Sequence, residues 1–238
     1  MKIDWLKIKE IIVETPEVKS FYLERPADFS WEEGSFTHIG LKGFNEGEKP
    51  NRGLVRHMSI NNLPSESTIG FTTRIKENCS EYKARLNKLQ VGDEVAMFKT
   101  HINVPLRREE KPIYFLSAGV GLATFRPIVL QYFSDTTNVP KLHSLNIDST
   151  EQYLFTDVFT TNQAKNFTAD FVSSREQYYK NVEKLTEDKE GVFYIVGSDE
   201  FLLQNIDLLR NRGIPVENIM IDKREGVREE FFKQTVSS

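Results

Sequence analysis

Cysteine is nearly absent from this chain: Cys79 stands alone among 238 residues. One thiol closes no internal disulfide and supplies no structural zinc site or iron–sulfur cluster. Long apolar runs are missing as well. The longest lies near residues 112–124, and glycine breaks it well short of the ~20 residues that cross a bilayer. Positive charge is not in excess: 31 Lys and Arg stand against 35 Asp and Glu, a net charge of −4. That balance argues against a nucleic-acid partner, which needs a basic face. The opening residues, Met1 to Glu14, mix charge into every turn and show no signal-peptide pattern. The expectation is a cytoplasmic protein with neither a membrane nor a nucleic-acid partner. His38, His101 and His143 are scattered and lack metal-ligand spacing, so no metal site is expected and solvated or core positions suit them. Repeats and low-complexity tracts are absent too.

What remains is a globular composition, 39% hydrophobic and 28% charged. The first hundred residues carry short β-rich segments punctuated by turns: Lys7 to Val13, Val18 to Leu23, Gly34 to Leu41, Leu54 to Ile60, Thr68 to Lys76 and Glu94 to Phe98. One short helix, Ser80 to Leu89, interrupts them. This pattern predicts a small antiparallel barrel over residues 1–108. From Ile113 onward, buried strands alternate with helices. Strands are expected at 113–117, 142–147, 153–155, 167–172, 192–196 and 219–221. Helices are expected at 125–133, near 177–185 and at 200–212, the last ending at Gly213. Residues 109–238 therefore read as a three-layer α/β domain with a parallel sheet, and the charged stretch Arg107 to Lys111 as the boundary.

Three constellations carry chemistry. In the first, an apolar strand enters Gly119-Val120-Gly121 and leaves as a helix. Such a turn aims backbone N–H groups and a helix dipole at an anion. Thr124 stands where a dinucleotide fingerprint has its third glycine, so the motif equally describes a tight strand-to-helix turn. The second is Arg56-His57-Met58-Ser59 on a barrel strand. Alternation puts Arg56 and Met58 on one face and His57 and Ser59 on the other. The arginine can fork onto a pyrophosphate and the serine can hydrogen-bond a ring nitrogen, though an edge-strand surface arginine has the same appearance. The third is Asn78-Cys79-Ser80, which opens the short helix with Ser80 as its N-cap. It is either an ordinary capped helix or a second anion site.

Taken in order, these motifs resemble the ferredoxin–NADP⁺ reductase superfamily: Arg-x-x-Ser, a Ser-headed helix followed by Val91-Gly92-Asp93-Glu94-Val95, then Ala118-Gly119-Val120-Gly121. The resemblance runs from about Ile8 to about Phe232. It implies an FAD-binding barrel and an NAD(P)-binding α/β domain. It places Arg56, His57, Met58 and Ser59 at the flavin, with Arg56 on the pyrophosphate, Ser59 near N5 as the catalytic residue, and no separate role for His57. Asn78, Cys79 and Ser80 would present backbone N–H groups to the FAD phosphates. Gly119, Gly121 and Thr124 would line the pyrophosphate of the nicotinamide nucleotide, and Val196 and Gly197 would face its nicotinamide. Ser173-Ser174-Arg175-Glu176-Gln177 resembles the run that grips the 2′-phosphate of NADP after the domain's fourth strand, with Ser174 and Arg175 as its ligands and Tyr179 or Lys180 in support. The same run is also a capping box. Asp148 could instead hold a ribose 2′-hydroxyl and favour NAD.

Departures from the superfamily pattern are Met58 for an aromatic, Asn78 for glycine, Thr124 for proline and Val196 for cysteine. A terminal aromatic that closes on the flavin would be Phe231 or Phe232, unless both pack a helix. The implied activity is hydride transfer from NADPH, or NADH, to flavin. Electrons would then pass to a flavodoxin, a ferredoxin, free flavin or a ferric complex. The alternatives are a non-catalytic nucleotide- or partner-binding module, or an electron-transfer subunit of a larger complex.

Overall fold

The computed structural model describes residues 2–161 and 164–234. Six strands build the first sheet: β1 (Asp4–Thr15), β2 (Val18–Glu24), β3 (Ser35–Gly40), β4 (Val55–Ser59), β5 (Thr68–Arg74) and β6 (Glu94–Ile102). Their order is β4-β3-β6-β1-β2-β5, and every pairing is antiparallel. The edge strands are drawn together where Asn61 N donates to Gly70 O at 2.9 Å. Asn62 Oδ1 accepts from Gly70 N at 2.9 Å on the same seam. These contacts tie the two edge strands together at one end of the sheet.

Alternation fills the barrel. Along β1, Leu6 and Ile8 are buried while Lys7 and Lys9 are exposed. Helix α1 (Glu81–Asn87) sends Tyr82 and Leu86 into the same core. They sit four residues apart, on one helix face. Both are fully buried, and a leucine so placed contributes roughly 1.5–3 kcal/mol. Trp31 is buried in this core, its Nε1 donating to Asn62 O, and Trp5 packs against it.

The second sheet contains β7 (Ile113–Ala118), β8 (Leu142–Ile147), β9 (Phe167–Val172), β10 (Val192–Val196) and β11 (Ile219–Ile221). All pairings are parallel, in the order β11-β10-β7-β8-β9. All five residues of β10 are buried, as a strand covered on both faces requires. On one face Phe115 stacks on Phe125 of α2 (Leu122–Ser134), with centroids 4.1 Å apart. On the other, Tyr114, Leu116, Phe193 and Ile195 share a core with α4 (Arg175–Leu185), α5 (Asp199–Asn211) and α6 (Glu225–Gln234). Helix α5 ends as its glycine predicts. Gly213 adopts φ +81°, Gly213 N bonds Arg210 O, and Ile214 N bonds Leu209 O, a Schellman closure.

Two features differ from the sequence expectation. Residues 153–155 form no strand. Glu151 and Phe155 have φ of +57° and +52°, which breaks any extended run, and Phe155 heads the single turn α3 (Thr156–Phe159). The β-forming character of Tyr153 serves packing instead, with its ring centroid 4.8 Å from that of Phe171. The Ser173–Gln177 run therefore follows the third strand of its sheet, not the fourth. The chain also divides into compact units at Met1–Ile102 and Asn103–Ser238, ahead of the charged stretch. Asn103 to Arg107 are fastened within the second unit: Asn103 Nδ2 donates to Asp222 Oδ1, Tyr194 Oη donates to Pro105 O, and Arg107 N donates to Tyr194 Oη.

Candidate nucleotide sites

In the barrel, β4 delivers Arg56 beside α1. The guanidinium carbon lies 5.0 Å from the centroid of the Tyr82 ring, and Nη1 donates to Val55 O at 2.7 Å and Gly53 O at 3.1 Å. Burial pushes the Tyr82 phenol well up, against the pull of Arg56. Lys83 gathers on the same helix. Its pKa is lowered, first by burial and, among its neighbours, by the charges of Arg56, Arg74 and Lys76, while Cys79 acts the other way. Arg56, Arg74 and Lys76 thus all act on Lys83 in the opening turn of α1. Glu81, the acid on that turn, is paired with Arg85 at 2.7 Å. Asn78 and Ser80 are exposed and Cys79 half-buried at this mouth. Ser80 takes the N-cap position with φ −63° and ψ 157°, but its side chain makes no cap hydrogen bond.

Arg74, Lys76 and Lys83 did not figure in the sequence motif. Arg74 ends β5 with Lys76 two residues beyond it, and Lys83 stands where a capping box would have an acid. Those two spacings were the available signal.

The outer face of the barrel holds Ser59, opposite Phe36 in register, and His57, opposite His38. Two of the three histidines read as scattered, His38 and His101, converge here with His57. His38, His57 and His101 surround the Phe36 ring at centroid distances of 6.2, 5.6 and 6.0 Å. The rings of His38 and His57 are 4.0 Å apart. Burial, then the neighbouring His57, holds His38 below the ordinary histidine value. Among the described residues, no group of three His, Cys, Asp or Glu is placed to hold a metal ion. Met58 is 8% exposed within the barrel core, so it packs inward.

In the second unit, the strand order places a topological switch between β7 and β10, whose chains leave to opposite sides. Ligands of open α/β sheets bind outside the carboxyl ends at such a point. Here Gly119 has φ +52°, a conformation that glycine adopts without strain. A Cβ on Gly121 would lie 2.7 Å from Val196 O, so only glycine lets the turn close against β10. Asn146 of β8 braces the turn, its Nδ2 donating to Ser117 Oγ at 2.8 Å and Gly119 O at 3.4 Å. Thr124 is buried in the first turn of α2. Gly197 follows Val196 directly and precedes Ser198, whose Oγ caps α5 by accepting from Phe201 N at 3.2 Å. The structure therefore brings Gly119, Gly121, Val196 and Gly197 together.

Ser174 is the N-cap of α4, its Oγ accepting from Gln177 N at 3.2 Å. The hydroxyl proton stays available, so capping and anion binding are compatible. Arg175 Nη2 donates to Gln204 Oε1 at 2.6 Å and lies 3.7 Å from Glu200 Oε1. Asp148 Oδ1 accepts from Thr150 N at 2.9 Å and Thr150 Oγ1 at 2.6 Å. That oxygen is engaged in its own turn. His143 is a core histidine: it is buried, and its Nδ1 is 2.7 Å from Thr168 Oγ1. At the C-terminal end, Phe231 is buried in the α/β core and Phe232 packs against that core. Lys223 Nζ lies 5.3 Å from the centroid of the Phe231 ring. The helix-packing alternative is the one realised.

No protein-family model matches the chain, and no curated protein matches it in sequence. Solved structures match its fold. A ferredoxin–NADP⁺ reductase from Neisseria gonorrhoeae, with bound FAD and NADP, superposes with a TM-score of 0.77 at 19% identity, over 93% of this chain and 98% of that one. A cytochrome P450 reductase from Amycolatopsis gives 0.76 at 13% identity, over 93% and 70%. The Plasmodium falciparum ferredoxin–NADP⁺ reductase with 2′P-AMP gives 0.72 at 14%, over 91% and 95%. These likenesses show the fold: an antiparallel barrel followed by a three-layer α/β unit. Among the described residues, no helix is long and apolar enough to cross a membrane.

Proposed function

We propose that the chain is an FAD-dependent oxidoreductase that takes hydride from NADPH or NADH and hands electrons to an acceptor. The observation that carries this is the switch point, where Gly121 rests on the Val196 carbonyl and Gly119 turns at positive φ. It supports a dinucleotide pyrophosphate over the amino end of α2. The cation cluster at α1 supports a second nucleotide in the barrel, and its charge suits the FAD pyrophosphate. Arg56 would grip that pyrophosphate, with Lys83 and the backbone of Asn78 to Ser80 beside it. Bound FAD supplies the isoalloxazine whose N5 accepts hydride. Ser59 would donate a hydrogen bond at that nitrogen. Hydride transfer needs no acid–base pair, so the chain's work is orientation, charge neutralisation and exclusion of water.

Ser174 and Arg175 support use of the phosphorylated nucleotide. Arg175→Ala is expected to weaken NADPH use far more than NADH use, measured as the two kcat/KM values; equal losses would remove this assignment. Acceptors of suitable chemistry are a flavodoxin, a ferredoxin, free flavin or a ferric complex. The inward packing of Met58 and of Phe231 favours a second form of this function, in which FAD is held loosely as a substrate. Anaerobic NADPH titration after reconstitution with FAD tests the whole. Bleaching of a protein-bound flavin spectrum is the expected result. A protein that neither retains FAD nor speeds its reduction is instead a nucleotide- or partner-binding module.

A further inference from the structure

The α4–α5 face carries a charge arrangement that the 2′-phosphate assignment does not account for. Gln204 is its hub. Its Oε1 accepts from Arg175 Nη2 at 2.6 Å and from Tyr179 Oη at 2.7 Å, and its Nε2 donates to Glu200 Oε1 at 2.9 Å. Glu200 Oε1 also stands 3.7 Å from Arg175 Nη2. The fold sets this approach. Tyr178 of α4 is buried and donates to Asn205 Oδ1 of α5 at 2.9 Å, and Asn205 Nδ2 returns to Phe201 O at 2.8 Å. Ser174 and Ser198 cap the two helices at the same end of the sheet. Glu200 lies in the first turn of α5, where the helix dipole favours its charge.

We propose that Glu200 is a specificity-determining residue that competes with a ribose 2′-phosphate for Arg175 and so limits the preference for the phosphorylated nucleotide. The inference rests on the nucleotide function proposed above. Arg175 and Glu200 side chains are 66% and 73% exposed, so an incoming phosphate reaches the guanidinium directly. To fork onto it, the phosphate must loosen Arg175 from Gln204 and Glu200 and settle beside a carboxylate of like charge. A nucleotide without the 2′-phosphate meets neither cost. Glu200 therefore narrows the gap between the two nucleotides without opposing either outright. A glutamine at this position keeps an acceptor for Gln204 and removes the charge.

The test is calorimetric titration of the full chain with 2′,5′-ADP and with 5′-ADP at low ionic strength. It is run on the wild type, Glu200→Gln, Arg175→Ala and the double variant. Glu200→Gln is expected to tighten 2′,5′-ADP about three- to fivefold, the scale of an exposed ion pair, and to leave 5′-ADP unchanged. In the Arg175→Ala background the gain shrinks, because the competition for the guanidinium is gone and only the like-charge repulsion is left. Equal changes for both probes, no change, or a gain undiminished without Arg175 each overturn the proposal. Failure of the wild type to bind either probe would remove the nucleotide function itself. Binding of 5′-ADP with a ratio indifferent to Glu200 would remove only this role.

Discussion

At the scale of single residues, Arg56 and Gly121 carry opposite kinds of information. Arg56 was visible as a candidate, but its spacing alone suits a surface arginine, and its place at a pyrophosphate is what the family resemblance implies. Its neighbours Arg74, Lys76 and Lys83 were not, since they converge only when β5 and α1 meet. Removing one charge-assisted contact to a pyrophosphate costs about 1.5–3 kcal/mol. Arg56→Ala is therefore expected to weaken FAD binding at least tenfold with little change in melting temperature, read from flavin fluorescence quenching. Unchanged affinity would move the flavin elsewhere. Gly121 was visible as a turn glycine, but its contact with Val196 was not, because β10 lies far along the chain. Gly121→Ala is expected to destabilise the second unit by about 2 kcal/mol through that overlap and to abolish nucleotide binding. Gly226→Ala, in α6 with nothing near the added methyl, should stabilise by about 0.5–1 kcal/mol. Chemical denaturation of the two variants, compared with the wild type, checks both signs.

At the scale of elements, α6 shows how composition misleads. Phe231 and Phe232 sit near the chain end, where a ring could cover a cofactor, and nothing local distinguishes that from packing. The structure distinguishes them by burial: Phe231 is 8% exposed in the core shared with α5 and β11. Phe231→Ala is expected to cost about 3 kcal/mol in denaturant unfolding and to leave FAD affinity per folded molecule unchanged. A loss of affinity without loss of stability would return the ring to the cofactor. The segment 153–155 misled in a related way. Tyr and Phe favour strands because they fit half-buried surfaces, and Tyr153 covers such a surface from a loop. Strands β8, β9, β10 and β11 were legible to the residue: β8, β10 and β11 are short buried runs between polar turns, and β9 carries buried apolar residues at its two ends.

At the scale of the whole molecule, the two-part architecture was legible from a change of rhythm near residue 110, from β-rich segments to alternating strands and helices. The gathering of three histidines around Phe36 was not, since register brings them together from three strands. The burial of histidines in both units has a consequence for acid stability. His38 and His143 are both held below the ordinary histidine value, each chiefly by burial, and the nearby Asp170 only partly offsets this at His143. The unfolded chain therefore binds more protons than the folded one once pH falls below about 6.5. Stability should be level above that pH and decline below it, before the carboxylates titrate. Urea midpoints between pH 8 and 5 check this, and a decline of the same size in a His38→Gln, His143→Gln double variant would refute it.

The switch point has one more implication, which concerns time. β7 pairs with β8 about 30 residues later and with β10 about 80 residues later. A ribosome adding about 5–20 residues per second therefore extrudes the glycine turn several seconds before the carbonyl it rests on exists. During that interval the nascent chain has a helix amino end but no crevice, so a nucleotide cannot template the early folding of this unit.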